Sequence, residues 1–161
     1  MAEIAYPAIE ALIPHRENMR LLKRVVYYGD KEIEVEAEVE AGAWYLNAQG
    51  QMPTWITLEM MAQAAAAYSG MERFLADPVG NTAPRIGVLL GTRVLEACQP
   101  TVMVGSRLRI QATQTFRDES GMGAIEAHTY LCSSSGEIPL ASTTLKVYEL
   151  PANMTLADLN T

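Results

Sequence analysis

The stretch MPTWITLEMMAQAAAAYSGMERFLAD, Met52 to Asp77, is the one from which the rest of the chain can be placed. Pro53 stands where a first helical residue is favoured, and strong helix formers follow until Asp77-Pro78 stops the run. Between Trp55 and Tyr68 the only strongly polar side chains are Glu59 and Gln63, with Thr57 beside them. A helix that is apolar nearly all round belongs inside a protein, wrapped by something else.

The wrapping has to come from the flanks, and they read as strands. Upstream, Val25 to Tyr28 are β-rich, Gly29-Asp30 is a turn pair, and a strict alternation follows. Ile33, Val35, Ala37 and Val39 point one way and Glu32, Glu34, Glu36, Glu38 and Glu40 the other, so the second strand is half buried and its glutamates form a solvated face rather than a cation site. Downstream of the turn-rich 78–85, we expect strands over Ile86 to Glu96, Thr101 to Phe116, Gly123 to Cys132 and Leu140 to Glu149. In the second of these, Val102, Val104, Leu108, Ile110 and Ala112 share the inner face. Glu3 to Leu12 reads as a short helix or turn, and Ala41 to Gln51 as a loop with an aromatic middle, Trp44 and Tyr45. One apolar helix and about six mainly antiparallel strands make an α+β architecture in which a curved sheet wraps a helix, the hotdog fold. We place this single domain at 1–150 and a C-terminal tail at 151–161. Such a sheet leaves an open edge, so we expect a homodimer or a higher homo-oligomer.

Composition narrows the functions. With 161 residues, 49% of them hydrophobic, the chain can bury a core without staples, which leaves Cys98 and Cys132 as small buried hydrophobes. Twelve Lys+Arg against nineteen Asp+Glu give a net charge of −7 with no basic cluster, which disfavours a nucleic-acid partner. No apolar run reaches the roughly 18 to 20 residues of a membrane span, and the N-terminus lacks the order of a signal peptide, so we expect a cytoplasmic protein. Nucleophile-elbow, phosphate-loop and metal-ligand motifs are absent, and no metal or cofactor is expected.

The residue that points to chemistry is Glu59. A carboxylate on an apolar helix must be paired or carry a raised pKa, and Gln63, one turn later on the same face, can hydrogen-bond it. A carboxylic acid beside a substrate channel serves as a general acid. The plainer alternative is a cap or bridge at the dimer edge.

Two stretches carry a family resemblance. "IPHRENMRLLKRV", Ile13 to Val25, and "MPTWITLEMMAQAAAA", Met52 to Ala67, resemble the FabA/FabZ-type 3-hydroxyacyl-acyl-carrier-protein dehydratases, whose stretches read like LPHRYPFLLVDRV and MPGVLILEAMAQ. The matches fall on Pro14, His15, Arg16, Leu21, Arg24 and Val25, and on Met52, Pro53, Leu58, Glu59, Met61, Ala62 and Gln63. "QPTVMVGSRL" is a weaker echo of R-P-V-x-P-G-D-x-L. The pattern is most similar to the divergent ApeP-like group of dehydratases linked to aryl polyene lipid synthesis.

The resemblance implies elimination of water from a 3-hydroxyacyl thioester of acyl-carrier protein or CoA. In the family a loop histidine takes the C2 proton, the helix carboxylate of the partner subunit assists departure of the hydroxyl, and N–H groups at the helix start polarise the thioester carbonyl. Glu59 matches the carboxylate, Gln63 its neighbour, and Thr54 would supply the N–H. Met52, Trp55, Met60 and Met61 either soften an acyl tunnel or fill the core.

The family's histidine position, counted back from Glu59, is occupied by Tyr45, and the loop's proline and glycine are absent. A phenol of ordinary pKa is a poor base at neutral pH. Three readings follow: an acidified Tyr45; entry of His15 or of His128 into the site, His128 being on an outward strand face; or, the one we follow, Tyr45 and Trp44 lining an acyl pocket in a subunit that pairs with a histidine-bearing hotdog partner. An acyl-binding module without turnover and a hotdog thioesterase are the competing functions. Carrier-protein docking would need basic residues around the pocket mouth; Arg85, Arg93, Arg107 and Arg109 are available, but the net charge gives no help and no docking surface is assigned.

Overall fold

The structure, a computed structural model, describes residues 4–80, 87–151, 153–155 and 157–158. Its elements are α1 (Ile9–Leu12), β1 (Leu22–Gly29), β2 (Glu32–Glu38), β3 (Gln51–Pro53), α2 (Thr57–Ala76), β4 (Gly87–Thr92), β5 (Glu96–Ala97), β6 (Thr101–Met103), β7 (Arg107–Arg117), β8 (Met122–Ser133) and β9 (Gly136–Glu149). One antiparallel sheet runs β1-β2-β7-β8-β9-β4, with β5 paired to β9, and β3 pairs with β6 in a separate ribbon. The sheet wraps α2, as a hotdog fold requires.

The central helix starts later than its proline suggests. Pro53 has an extended ψ of 135° and ends β3 opposite Thr101, and a 3-10 turn over Thr54–Ile56 leads into α2. The Thr54 amide donates to Pro100 C=O at 2.9 Å, and Thr57 Oγ1 donates to Thr54 C=O at 2.7 Å. Met60, Met61, Ala64 and Ala67 are wholly buried. A stripe containing Leu58, Glu59, Ala62, Ala66 and Ser69 remains half open along the other side.

The hairpin follows the alternation. Ile33, Val35 and Ala37 are core residues, while Glu34 and Glu36 reach Arg109 and Arg24 at 2.9 and 2.8 Å, which explains the acidic strand as a paired outer face. Its turn is Asp30-Lys31, with Gly29 still paired to Glu32, because Lys31 takes the left-handed φ of 65°. The expected strand Thr101 to Phe116 is broken in two. Gly105 turns at φ 89° and donates its N–H to Val39 C=O at 2.8 Å, so β6 and β7 join different sheets and Val104 lies exposed instead of in the core.

Ile86 to Glu96 also divides, into β4 and β5, with Ile86 itself outside the described residues. The same holds for 81–85 of the turn-rich connection and for Glu3 of the first expected helix. β4 is the last strand in the sheet order, and it carries exposed Leu89 and Leu90, with exposed Val94 following it. Cys132 is half-buried but Cys98 is exposed, so only one thiol resembles the buried hydrophobe expected of both.

Candidate active site

The segment that follows α1 crosses the middle of α2 and brings His15 to it. Ile9, Leu12 and Ile13 are buried, and the crossing is close because Gly70 faces Leu12: a Cβ on Gly70 would stand 2.2 Å from Leu12 O. Arg73 donates to Ala11 C=O at 3.0 Å, and Arg16 to the Ile13 and Glu10 carbonyls at 2.7 and 2.8 Å. Farther along, Gln63 holds the segment again. Its Oε1 accepts from Leu21 N at 2.9 Å and its Nε2 donates to Met19 C=O at 2.8 Å.

The same Gln63 Nε2 donates to Glu59 Oε1 at 3.0 Å, so the carboxylate is paired along its own helix. His15 Nε2 lies 3.7 Å from that Oε1. Burial lowers the His15 imidazole below the ordinary histidine value, the Glu59 carboxylate opposes this, and Arg16 adds to the lowering. His15 Nδ1 is buried without a hydrogen-bond partner. The two side chains stand on the rim of a cavity of about 170 Å³ whose walls include Ala62 and Ala66 of α2, Val88 of β4 and Ile125 of β8. A basic nitrogen, a carboxyl and an apolar slot meet here. Such an arrangement can move a proton beside an apolar ligand.

Tyr45 lies elsewhere. It is 8% exposed, its hydroxyl accepts from Glu40 N at 3.2 Å and donates to Glu38 C=O at 3.5 Å, and it is not among the residues lining the His15–Glu59 cavity. Burial pushes its phenol up, which is the wrong direction for a base, against a smaller lowering by the Glu40 backbone bond. Trp44, half exposed, packs edge-on against Tyr45 and donates Nε1 to Asn18 C=O at 2.9 Å. These two aromatics line a separate hollow of about 300 Å³ with Lys23 and Glu40.

The remaining expected residues also have definite places. Met52 and Met60 are core, and Trp55 is 64% exposed at the helix start. Thr54 is buried with its hydroxyl on Gln99 C=O at 2.6 Å and its amide on Pro100, so that N–H is already engaged. His128 lies on the outer face, 3.8 Å from Glu126 and stacked on Tyr130. Arg109 is occupied by Glu137 at 2.6 Å and Glu34 at 2.9 Å and covers the Tyr130 ring, while Arg85 falls outside the described residues. Within one chain the structure thus joins Glu59 and Gln63 with His15, while Tyr45 stands apart from them. The signal for His15 was the Pro14-His15-Arg16 match, whose distance along the chain from Glu59 conceals the contact.

Among the described residues no group of His, Cys, Asp and Glu could hold a metal ion, and no helix is long and apolar enough to cross a membrane. The family model described as ApeP-like, ApeP dehydratase, matches residues 7–158. No curated protein matches. Among solved structures, a chain of the dehydratase heterocomplex ApeI:P from Xenorhabdus doucetiae is 27% identical with a TM-score of 0.84, covering 98% of this chain and 100% of that one. The TT0310 protein from Thermus thermophilus is 19% identical with a TM-score of 0.56, over 79% of this chain and 91% of the other. A hypothetical thioesterase with coenzyme A from Streptococcus pneumoniae TIGR4 is 11% identical with a TM-score of 0.57, over 79% and 84%. At those lower identities the likeness is one of fold.

Proposed function

From a chain that belongs to the ApeP-like dehydratase family, we propose a hydro-lyase that interconverts 3-hydroxyacyl and enoyl thioesters, with His15 and Glu59 as its proton-transfer pair. The observation that carries this reading is the 3.7 Å approach of His15 Nε2 to Glu59 Oε1 beside an apolar cavity. Neutral imidazole takes the C2 proton, the C2 electron pair forms the double bond, and the C3–O bond breaks. The imidazolium passes that proton to the Glu59 carboxylate beside it, and the carboxyl so formed gives it to the departing hydroxyl, which leaves as water and restores the starting pair of neutral imidazole and carboxylate. An imidazole held neutral by burial is suited to the first step.

The acyl group lies along α2 in this reading, and the thioester comes from acyl-carrier protein or CoA. A second hotdog subunit, the same chain or a different one, pairs along β4. The support is that β4 ends the sheet with exposed Leu89 and Leu90, and that the ApeI:P relative is a heterocomplex. Tyr45 and Trp44, the residues expected to line the acyl pocket, would then serve the hairpin and the surface.

The test is hydration and dehydration of enoyl- and 3-hydroxyacyl-acyl-carrier protein by wild type, His15→Gln, Glu59→Gln and Tyr45→Phe. Turnover lost with the first two variants and kept with the third is expected. Thioester cleavage instead would make the protein a thioesterase. Acyl binding without turnover would make it an acyl-binding subunit, and turnover that appears only on mixing with a histidine-bearing hotdog protein would make it the partner half of a shared site.

A further inference from the structure

The cavity at His15 and Glu59 does not end blindly. His15, Ala66, Ser69, Gly87, Arg117 and Glu149 line both it and an outer depression of about 500 Å³, so the two are continuous along one side of α2. Glu59, Ala62, Ala66, Ser69 and Glu72 succeed one another at helical three- and four-residue spacing, and Glu59 to Glu72 measures about 20 Å along the axis. Farther along the helix, on this shared lining, Arg117 Nη1 at the end of β7 reaches both oxygens of the Glu72 carboxylate, which lines the depression, at 2.9 Å. The ion pair ties helix to sheet across the line a chain would follow.

We propose that the Arg117–Glu72 pair is the chain-length gate of the cavity, closing it behind acyl chains that end short of the pair and yielding only to longer ones. The proposal rests on the acyl-thioester reading of the cavity. Its physics is a contrast between neighbours. The walls of the cavity include Ala62, Ala65, Val88 and Ile125, which reward each added methylene, whereas at the pair an advancing apolar chain must separate two opposite charges and desolvate them. Both partners are about one-third exposed, and such a pair holds weakly enough to open. A solid apolar wall would impose an absolute limit; an ion pair imposes a step.

The experiment titrates the full chain with pantetheine amides of dodecanoic, hexadecanoic, icosanoic and tetracosanoic acids, which bracket the distance to the pair and which no thioester chemistry can cleave. Wild-type affinity is expected to climb and then level off within the series. In Arg117→Ala and Glu72→Gln it should go on climbing, by about fourfold per added methylene. The exchanged pair Glu72→Arg with Arg117→Glu should bring the plateau back, and thermal melting of each variant identifies any that fail to fold. A plateau at the same length in wild type and both single variants overturns the gate alone. A wild-type series with no plateau overturns it too. Wild type that binds none of the amides overturns the gate together with the acyl-thioester reading.

Discussion

His15 Nε2 stands 3.7 Å from Glu59 Oε1 because the segment carrying the histidine lies against a bare stretch of helix at Gly70. A methyl group on Gly70 would meet the Leu12 carbonyl oxygen at 2.2 Å, and that neighbour is backbone with no rotamer to yield. Gly70→Ala gains up to about 1 kcal/mol of helix propensity. Overpacking costs about 1–3 kcal/mol, so the net change is a loss of stability. Urea denaturation should show a lower midpoint, and hydration activity should fall further than stability as His15 is displaced. A higher midpoint would mean that the segment does not pack there.

The lowered pKa of His15 sets a direction for pH dependence. A base must be neutral to work, so the acidic limb of kcat/KM should lie below the ordinary histidine value of 6.5. Stability follows the same group. Because the folded pKa lies under the unfolded one, the unfolded chain binds more protons between the two, and stability falls as pH drops from 6.5 through the folded value. His15→Gln should flatten that part of the stability profile. With only two histidines in the chain, a proton-carbon NMR titration reads His15 directly against His128.

Gln63 holds three partners at once, and its substitutions should separate. Gln63→Leu leaves the Leu21 amide, the Met19 carbonyl and Glu59 without it; of these the Leu21 bond is the buried one, and its unsatisfied amide costs about 1–3 kcal/mol. Gln63→Glu keeps the acceptor for Leu21 but turns a carboxylate oxygen toward Met19 O and Glu59. Its expected signature is a fall in kcat at near-wild-type KM, since the displaced Glu59 belongs to the proposed proton-transfer pair. An unchanged kcat in Gln63→Glu would show that the orientation of Glu59 does not matter.

The wrapped helix and the hairpin are legible in the sequence because each has its own pattern: α2 is apolar nearly all round, and β2 alternates with a period of two. The break between β6 and β7 is not, since Val102 and Val104 keep the alternation while Gly105 turns the chain. The carboxylate half of the candidate site is legible for the same reason, Glu59 being the anomaly on an apolar helix. Its histidine is legible only through the Pro14-His15-Arg16 match; its contact with Glu59 is not, because that depends on Leu12 settling on Gly70, a tertiary contact with no local signature. Family spacing leads instead to Tyr45. That loop folds back on itself through Ala43 N to Glu40 O at 3.3 Å and Leu46 N to Ala43 O at 3.3 Å, which directs the phenol to its own hairpin.

Tyr45→Phe therefore tests placement. The variant loses bonds to Glu40 N and Glu38 O, which should cost about 0.5–1.5 kcal/mol of stability. Turnover should stay within about twofold of wild type, a change of under 0.5 kcal/mol in barrier. A loss of two or more orders of magnitude would place the phenol in the chemistry after all.

Thr129 offers a prediction of the opposite sign. On β8 it faces the core, 1% exposed, and its Oγ1 is buried without a hydrogen-bond partner. Valine has the same branched shape and no hydroxyl to desolvate, and it suits a strand equally well. Leaving such a hydroxyl unsatisfied costs about 1–3 kcal/mol, so Thr129→Val should raise the urea midpoint by roughly 1 kcal/mol of stability while leaving turnover unchanged. Thr129 pairs with Ile110 and Ala141, so the substitution disturbs no side-chain bond. A destabilised Thr129→Val would show that the hydroxyl is satisfied in solution, by a water in the core between β8 and α2.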